Sequence, residues 1–167
     1  MRNCFTFSLL ALTLCAADLE SALEKRIAAG PGKVFLAAKN LKTGQSISIR
    51  GNEKVRTAST IKLPVLIDVY ALASEGKLKL DEQLVMREVD IVSGSGVIRE
   101  LAAGTTLPLK GVANLMIVVS DNSATNMLIE RITADSVNAR MDALGLKGTR
   151  LMRKVRGDGT QLKQAQG

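Results

Sequence analysis

The chain has 167 residues, 46% hydrophobic and 23% charged, an ordinary globular composition with length enough for one core. It has no histidine, which removes Ser-His-Asp and Cys-His nucleophile systems, histidine bases and histidine-ligated zinc. The net charge of +7 is localised: residues 18–146 hold sixteen basic and fifteen acidic side chains, whereas residues 147–167 hold six basic side chains and Asp158. That basic tail has no aromatic residue to stack on a base, so nucleic acid is not an expected partner.

Residues 1–17 read as an export leader. Arg2 supplies a positive charge, Phe5 to Leu14 is mostly apolar, and Cys15-Ala16-Ala17 offers small residues for cleavage before Asp18. The expected location is therefore periplasmic or secreted. Lipid attachment at Cys15 is the less favoured alternative, because Leu14 is bulky for such a site. No apolar run reaches the ~18–20 residues of a membrane span. Cleavage removes both cysteines, Cys4 and Cys15, so the mature chain has no disulfide and no thiol chemistry. Phe35 and Tyr70 are then the remaining aromatics, and the core must be aliphatic.

Leu19, Leu23 and Ile27 predict a helix over residues 18–29, stopped by Gly30-Pro31-Gly32. Val34 to Ala38 and the alternating Ile47 and Ile49 predict a hairpin, with Asn40 to Gln45 as its turn. A second helix is predicted from Thr60 to Ser74, its apolar face assigned to Leu63, Leu66, Ile67, Tyr70 and Ala71. Pro64 falls early in it and Gly76 ends it. Ser93-Gly94-Ser95-Gly96 reads as a plain loop that matches no phosphate-binding motif. Leu109, Val112, Ala113, Met116 and Val119 predict a third helix, broken at Ser120-Asp121-Asn122-Ser123. Ala124, Leu128 and Ile132 mark a fourth, and Val137, Met141 and Leu144 a fifth that ends at Gly145. The fold class is α+β. A two-stranded hairpin is too small to stand alone, and further strands are not evident in the pattern.

Ser59-Thr60-Ile61-Lys62 is an S-x-x-K motif at the start of the second helix. Positions i and i+3 share a helix face, which lets the lysine reach the serine hydroxyl. A helix N-terminus also favours the negative charge that develops when a carbonyl is attacked. The motif alone is unspecific, since Ser74-Glu75-Gly76-Lys77 fits it too; there Gly76 ends the helix and the match is accidental. Ser120-Asp121-Asn122, after an apolar helix, is rarer by chance; the bland alternative is a helix-breaking loop whose side chains cap the next helix.

Together, Ala58-Ser59-Thr60-Ile61-Lys62-Leu63-Pro64 and Leu115 through Asn126, with its central Ser120-Asp121-Asn122, resemble the serine β-lactamase and penicillin-binding protein superfamily. Within it the resemblance is to the class A β-lactamases. Leu144 through Leu151 is similar to the class A segment that leads into the loop beside the active site. The resemblance covers Leu19 to Arg153. It implies a β-lactamase/transpeptidase-like fold with Ser59 as the acylated nucleophile, Lys62 as its proton partner and Ser120 as the shuttle to the leaving nitrogen. Asn122 would hold the substrate's amide and contact Lys62, and Asp121 would be structural. The expected substrate is a small β-lactam, the protein is expected to be a monomer, and no metal or organic cofactor is implied.

Two elements of the pattern are missing. Lys42-Thr43-Gly44 precedes Ser59, in the hairpin turn, and is not the K-T-G strand that should follow Ser120. No glutamate follows Glu130 to act as the class A base; Asp158 lies in the corresponding region without matching it. The expectation is a C-terminally incomplete chain: a leader over 1–17, helix and hairpin over 18–57, a helical part over 58–153, and a truncated loop region over 154–167. The alternatives are a D-Ala-D-Ala peptidase or β-lactam sensor that acylates without turnover, and a non-catalytic pseudoenzyme.

Overall fold

A computed structural model of the protein describes residues 10–156. Two compact units divide at Arg56 and Thr57. The first contains helix α1 (Leu10–Ala28) and an antiparallel hairpin, β1 (Leu36–Lys39) with β2 (Ser46–Ile49). Leu36 pairs with Ile49 and Lys39 with Ser46, so the isoleucines of β2 share one face: Ile49 is buried and Ile47 half-buried, while Ser46 and Ser48 are exposed. The Asn40 carboxamide accepts the backbone N–H groups of Lys42 and Thr43 at 2.9 and 3.1 Å, and Gly44 takes φ +77°. Lys42-Thr43-Gly44 is thus the tip of this turn. Helix α1 starts at Leu10, not at Asp18 as periodicity suggests, and runs unbroken past Ala17. Leucine and alanine dominate residues 10–17, and both are strong helix formers.

The second unit holds α2 (Lys62–Ser74), β3 (Gln83–Val85), β4 (Thr106–Pro108), α3 (Leu109–Val118), α4 (Asn122–Ile132) and α5 (Ala134–Ala143). Helix α4 packs against α2, α3 and α5, and eight of its eleven residues are buried, which makes it the axis of the unit. Around it lie Val65 and Val69 of α2, Leu109, Val112, Ala113 and Met116 of α3, and Val137 of α5. Leu78, Met86, Ile98 and Leu151 fill the rest, so this core is aliphatic and methionine-lined throughout. The stripe expected on α3 is buried as far as Met116. Val119 is exposed, because the helix has already ended at Val118.

Helix α2 buries a face that only partly overlaps the expected one: Leu66 packs half-buried against the core and Ala71 is half-buried. Leu63, Ile67 and Tyr70 are 53%, 42% and 40% exposed, and the inward residues are Lys62, Val65, Asp68 and Val69. The helix is apolar nearly all round, so periodicity did not single out a face, and the two ionisable residues on the true inner face were discounted. Asp68 is fully buried and satisfied: Ser136 Oγ donates to it at 2.7 Å and Arg140 Nε at 3.1 Å. Pro64 lies in the first turn, where its missing N–H leaves no helical hydrogen bond unmade.

Strands β3 and β4 escaped the sequence reading. They form a second antiparallel hairpin, Leu84 opposite Leu107 and Val85 opposite Thr106. Each strand is three residues long with a single half-buried position, too little for an alternating pattern to register. Pro108 ends β4 and serves as N-cap of α3.

The Asp68–Arg140 pair ties α2 to α5, and Arg140 Nη2 also reaches Glu75 at 2.7 Å. Arg140→Ala strands the buried Asp68 carboxylate and is expected to lower stability by about 3 kcal/mol in urea unfolding. Glu75→Ala removes only the outer partner and is expected to change little. Equal losses for the two variants would contradict this assignment.

Candidate active site

Three short segments of the second unit converge. The turn Ala58–Ile61 carries Ser59 and leads into α2, whose first residue is Lys62. Ala58 sits at φ +45°, a left-handed conformation that alanine rarely adopts and that aims the turn at the α3–α4 junction. At that junction Ser120 also turns left-handed, at φ +54°, and Leu115 O accepts the N–H of Asp121 at 3.1 Å. The chain reverses there so that both the hydroxyl and the carbonyl of Ser120 face Lys62.

The Lys62 ammonium is only 3% exposed, yet its three donors are all taken. They go to Ser120 O at 2.6 Å, Ser120 Oγ at 2.9 Å and Asn122 Oδ1 at 2.9 Å. Ser120 Oγ in turn donates to Ser59 Oγ at 3.1 Å, and Ser59 is exposed. The i, i+3 spacing therefore does not produce a direct Ser59–Lys62 bond; Ser120 bridges the two. Burial pushes the Lys62 amine below its ordinary value of 10.5, against the opposing pull of the Asp121 carboxylate. The product is a hydrogen-bonded line from a buried amine, through one hydroxyl, to an exposed hydroxyl. Such a line has the connectivity that proton transfer to and from Ser59 would need, without histidine.

Asp121 holds the junction. It is buried, and Oδ2 accepts the N–H groups of Val97 and Ile98 at 2.6 and 2.8 Å. Oδ1 accepts from Ala124 N at 2.9 Å, the N-cap bond of α4. The Ser93–Gly96 segment, read from sequence as a plain loop, wraps this junction. Ser95 O accepts from Asn122 N at 2.9 Å, Ser93 O accepts from Asn122 Nδ2 at 3.2 Å, and Ser123 Oγ accepts from Val92 N at 3.1 Å. Gly96, at φ +118°, approaches Asp121 so closely that a Cβ there would fall 2.2 Å from its Cγ. The available signal was the Gly-x-Gly spacing, which marks close backbone approach as well as turns.

Two further asparagines were also missed. Asn126, one turn beyond Asn122 on α4, exchanges two hydrogen bonds with the Val155 backbone, at 3.1 and 2.8 Å. Asn138 of α5 does the same with Leu151, at 3.1 and 2.8 Å. These carboxamides act as substitute strand partners and fix the segment 151–156. Lys154 reinforces it by reaching Asp90 at 3.3 Å and Glu130 at 2.6 Å. Asp158 lies outside the described residues. Of the second S-x-x-K match, Ser74 ends α2 and Lys77 pairs with Glu75 at 2.8 Å, away from this line. Among the described residues, no group of three His, Cys, Asp or Glu side chains gathers to hold a metal.

A family model described as "Beta-lactamase enzyme family" matches residues 18–166, and the chain belongs to that family. Among curated relatives, Beta-lactamase L2 of Stenotrophomonas maltophilia is 30% identical over 115 residues, 69% of this chain and 37% of that protein. Among solved structures, PBP-A aligns with a TM-score of 0.79 and 31% identity, over 83% of this chain and 53% of that one. A beta-lactamase from Sphaerobacter thermophilus aligns with a TM-score of 0.76 and 34% identity, over 83% and 52%. The chain thus spans about half the length of these structures and about a third of the curated relatives. The α+β class expected from sequence agrees with these folds.

The segment 151–156 is held partly by charge, which gives it a pH dependence. Burial raises the Asp90 carboxyl, but hydrogen bonds and charge from Arg87, with Lys154 adding a further bond, outweigh it and hold the group below its ordinary 3.8. A depressed carboxylate stabilises the fold above its unfolded-state value and loses that contribution as pH falls through the folded one. Stability from urea unfolding is therefore expected to decline below about pH 3.8, and Asp90→Asn to flatten the decline. Identical slopes for the two proteins would contradict the linkage.

Proposed function

We propose that this protein is a β-lactam-opening serine hydrolase that works through an acyl-Ser59 intermediate. The observation that carries the reading is the line Lys62 Nζ–Ser120 Oγ–Ser59 Oγ, with links of 2.9 and 3.1 Å and the amine buried. Family membership supports it, and so does a solved variant of PBP-A described as an acyl-enzyme complex with penicillin G.

In this mechanism Lys62, its proton affinity lowered by burial, acts in its neutral form and takes the Ser59 proton by way of Ser120 as Ser59 Oγ attacks the lactam carbonyl. The carbon–nitrogen bond then breaks. Ser120 gives its proton to the departing nitrogen and is refilled from Lys62, so the amine ends neutral and the ring is open. The Ser59 backbone N–H supplies one donor for the oxyanion. Asn122 Nδ2 spends one hydrogen on Ser93 O and keeps a second for the carbonyl of a substrate side chain. Water then hydrolyses the ester. We further propose that residues 1–17 are an export leader; N-terminal sequencing of periplasmic protein is expected to begin at Asp18, and retention of Met1 would contradict this.

A second reading, a penicillin-binding peptidase or sensor that acylates without turnover, is favoured by one observation. Among the described residues, no carboxylate is hydrogen-bonded to Ser59 or Lys62, so the deacylating water has no evident base there.

Fluorescent penicillin is expected to label the protein covalently, and Ser59→Ala to abolish the label. Lys62→Ala is expected to slow labelling by about 10²–10⁴-fold. The rate should rise with pH through the lowered Lys62 value, since the neutral amine is the acceptor. Turnover of a chromogenic cephalosporin supports the first reading, and a persistent label without turnover the second. A wild-type protein that neither labels nor turns over contradicts both and favours the pseudoenzyme.

A further inference from the structure

The Lys62 line depends on which way the Asn122 carboxamide points. Its oxygen must face Lys62; turned over, it would set an N–H₂ against an ammonium. The orientation is fixed from the other side by the segment read from sequence as a plain loop. Ser93 O accepts from Asn122 Nδ2 at 3.2 Å, and Ser95 O accepts from Asn122 N at 2.9 Å. These two carbonyls flank Gly94, which sits at φ +98°, where side-chain-bearing L-residues are rarely found. A Cβ added at Gly94 would lie 2.7 Å from Asn122 Nδ2, and among the described residues no other atom outside its two chain neighbours lies within 4 Å of it.

From this geometry, and resting on the acyl-serine reading above, we propose that Gly94 is a positioning residue for that chemistry. It keeps the Asn122 carboxamide turned so that its oxygen holds Lys62 in line with Ser120 and Ser59. The contact is with the far end of a side chain and not with the α4 backbone, so a methyl group at position 94 strains its own loop and presses on the carboxamide. Gly96 differs: a Cβ there would meet the Cα as well as the carboxylate of Asp121, at 2.6 and 2.2 Å, and would disturb the N-cap of α4. Its role is in the fold, whereas that of Gly94 is in the alignment of one amide.

Loss of the Asn122 oxygen removes a partner of the charged lysine, so the Lys62 titration should move downward. The charged group acting on Lys62 is Asp121, which the substitution does not touch. The test compares wild type, Gly94→Ala, Asn122→Ala and the double variant, following the Lys62 Cε resonance against pH and the rate of penicillin labelling. Gly94→Ala is expected to lower the Lys62 midpoint in the same direction as Asn122→Ala and to slow labelling about 10-fold or more. In the Asn122→Ala background its effect on the Lys62 midpoint and on labelling is expected to shrink sharply, because the atom it strikes is gone and only the backbone strain at φ +98° remains.

An unmoved Lys62 midpoint in Gly94→Ala overturns the proposal, as does an equal effect of the methyl group in both backgrounds. If Gly94→Ala folds only in the Asn122→Ala background, the contact is supported; if it folds in neither, the glycine serves the loop alone and the proposal fails. A wild-type protein that takes no label defeats the acyl-serine reading, while the Lys62 titration still reports on Gly94.

Discussion

A lysine buried to 3% exposure is costly unless every N–H finds an acceptor, and at Lys62 the three acceptors come from two residues of one junction, Ser120 and Asn122. This requirement organises the second unit. Two of the acceptors are the carbonyl and hydroxyl of the same serine, which can face one way only because Ser120 adopts a left-handed backbone. The third is a carboxamide oxygen that a neighbouring loop must hold in orientation. The burial that makes the ammonium costly also lowers its proton affinity, so one packing decision sets both the geometry and the acid–base character of the line to Ser59.

Helix α4 distributes that geometry. Its first turn contains the junction: Asp121 caps it while binding Val97 and Ile98, Asn122 reaches Lys62, and Ser123 takes the N–H of Val92. One turn on, Asn126 clamps Val155. Polar side chains buried along a helix interior are tolerated only when satisfied; here Asp121, Asn122 and Ser123 bond the loop at 92–98 and Asn126 the segment at 151–156. The loops at 92–98 and 151–156 are therefore ordered by α4, not by strands of their own. The aliphatic core beneath, from Val65 to Leu128, fixes α4 against α2 and α3 and so fixes the distance between Lys62 and Ser120.

Much of this was legible in the sequence. The helices of the second unit follow from apolar spacing and from Gly76 and Gly145, which end α2 and α5 at positive φ. Ser59, Lys62, Ser120, Asp121 and Asn122 stood out because the strings around them resemble the motifs of the serine β-lactamase superfamily, and they converge in space. What failed to show has physical reasons. The inner face of α2 includes Lys62 and Asp68, charged residues whose burial depends on partners 58 to 72 positions away, and hydrophobic patterning excludes them. Three-residue strands carry no period. Gly94 and Gly96 look like turn glycines because a glycine that permits a turn and one that permits close approach leave the same letter. Asn126 and Asn138 look like surface polar residues until the chain returns to them.

If Ser59 is the nucleophile toward a β-lactam carbonyl, as proposed, the acyl group forms on it. Peptide mapping by mass spectrometry after incubation with penicillin G tests it most directly. One intact penicillin is expected per chain, carried on the peptide that contains Ser59. An unmodified chain, or an adduct on any other residue, would contradict it.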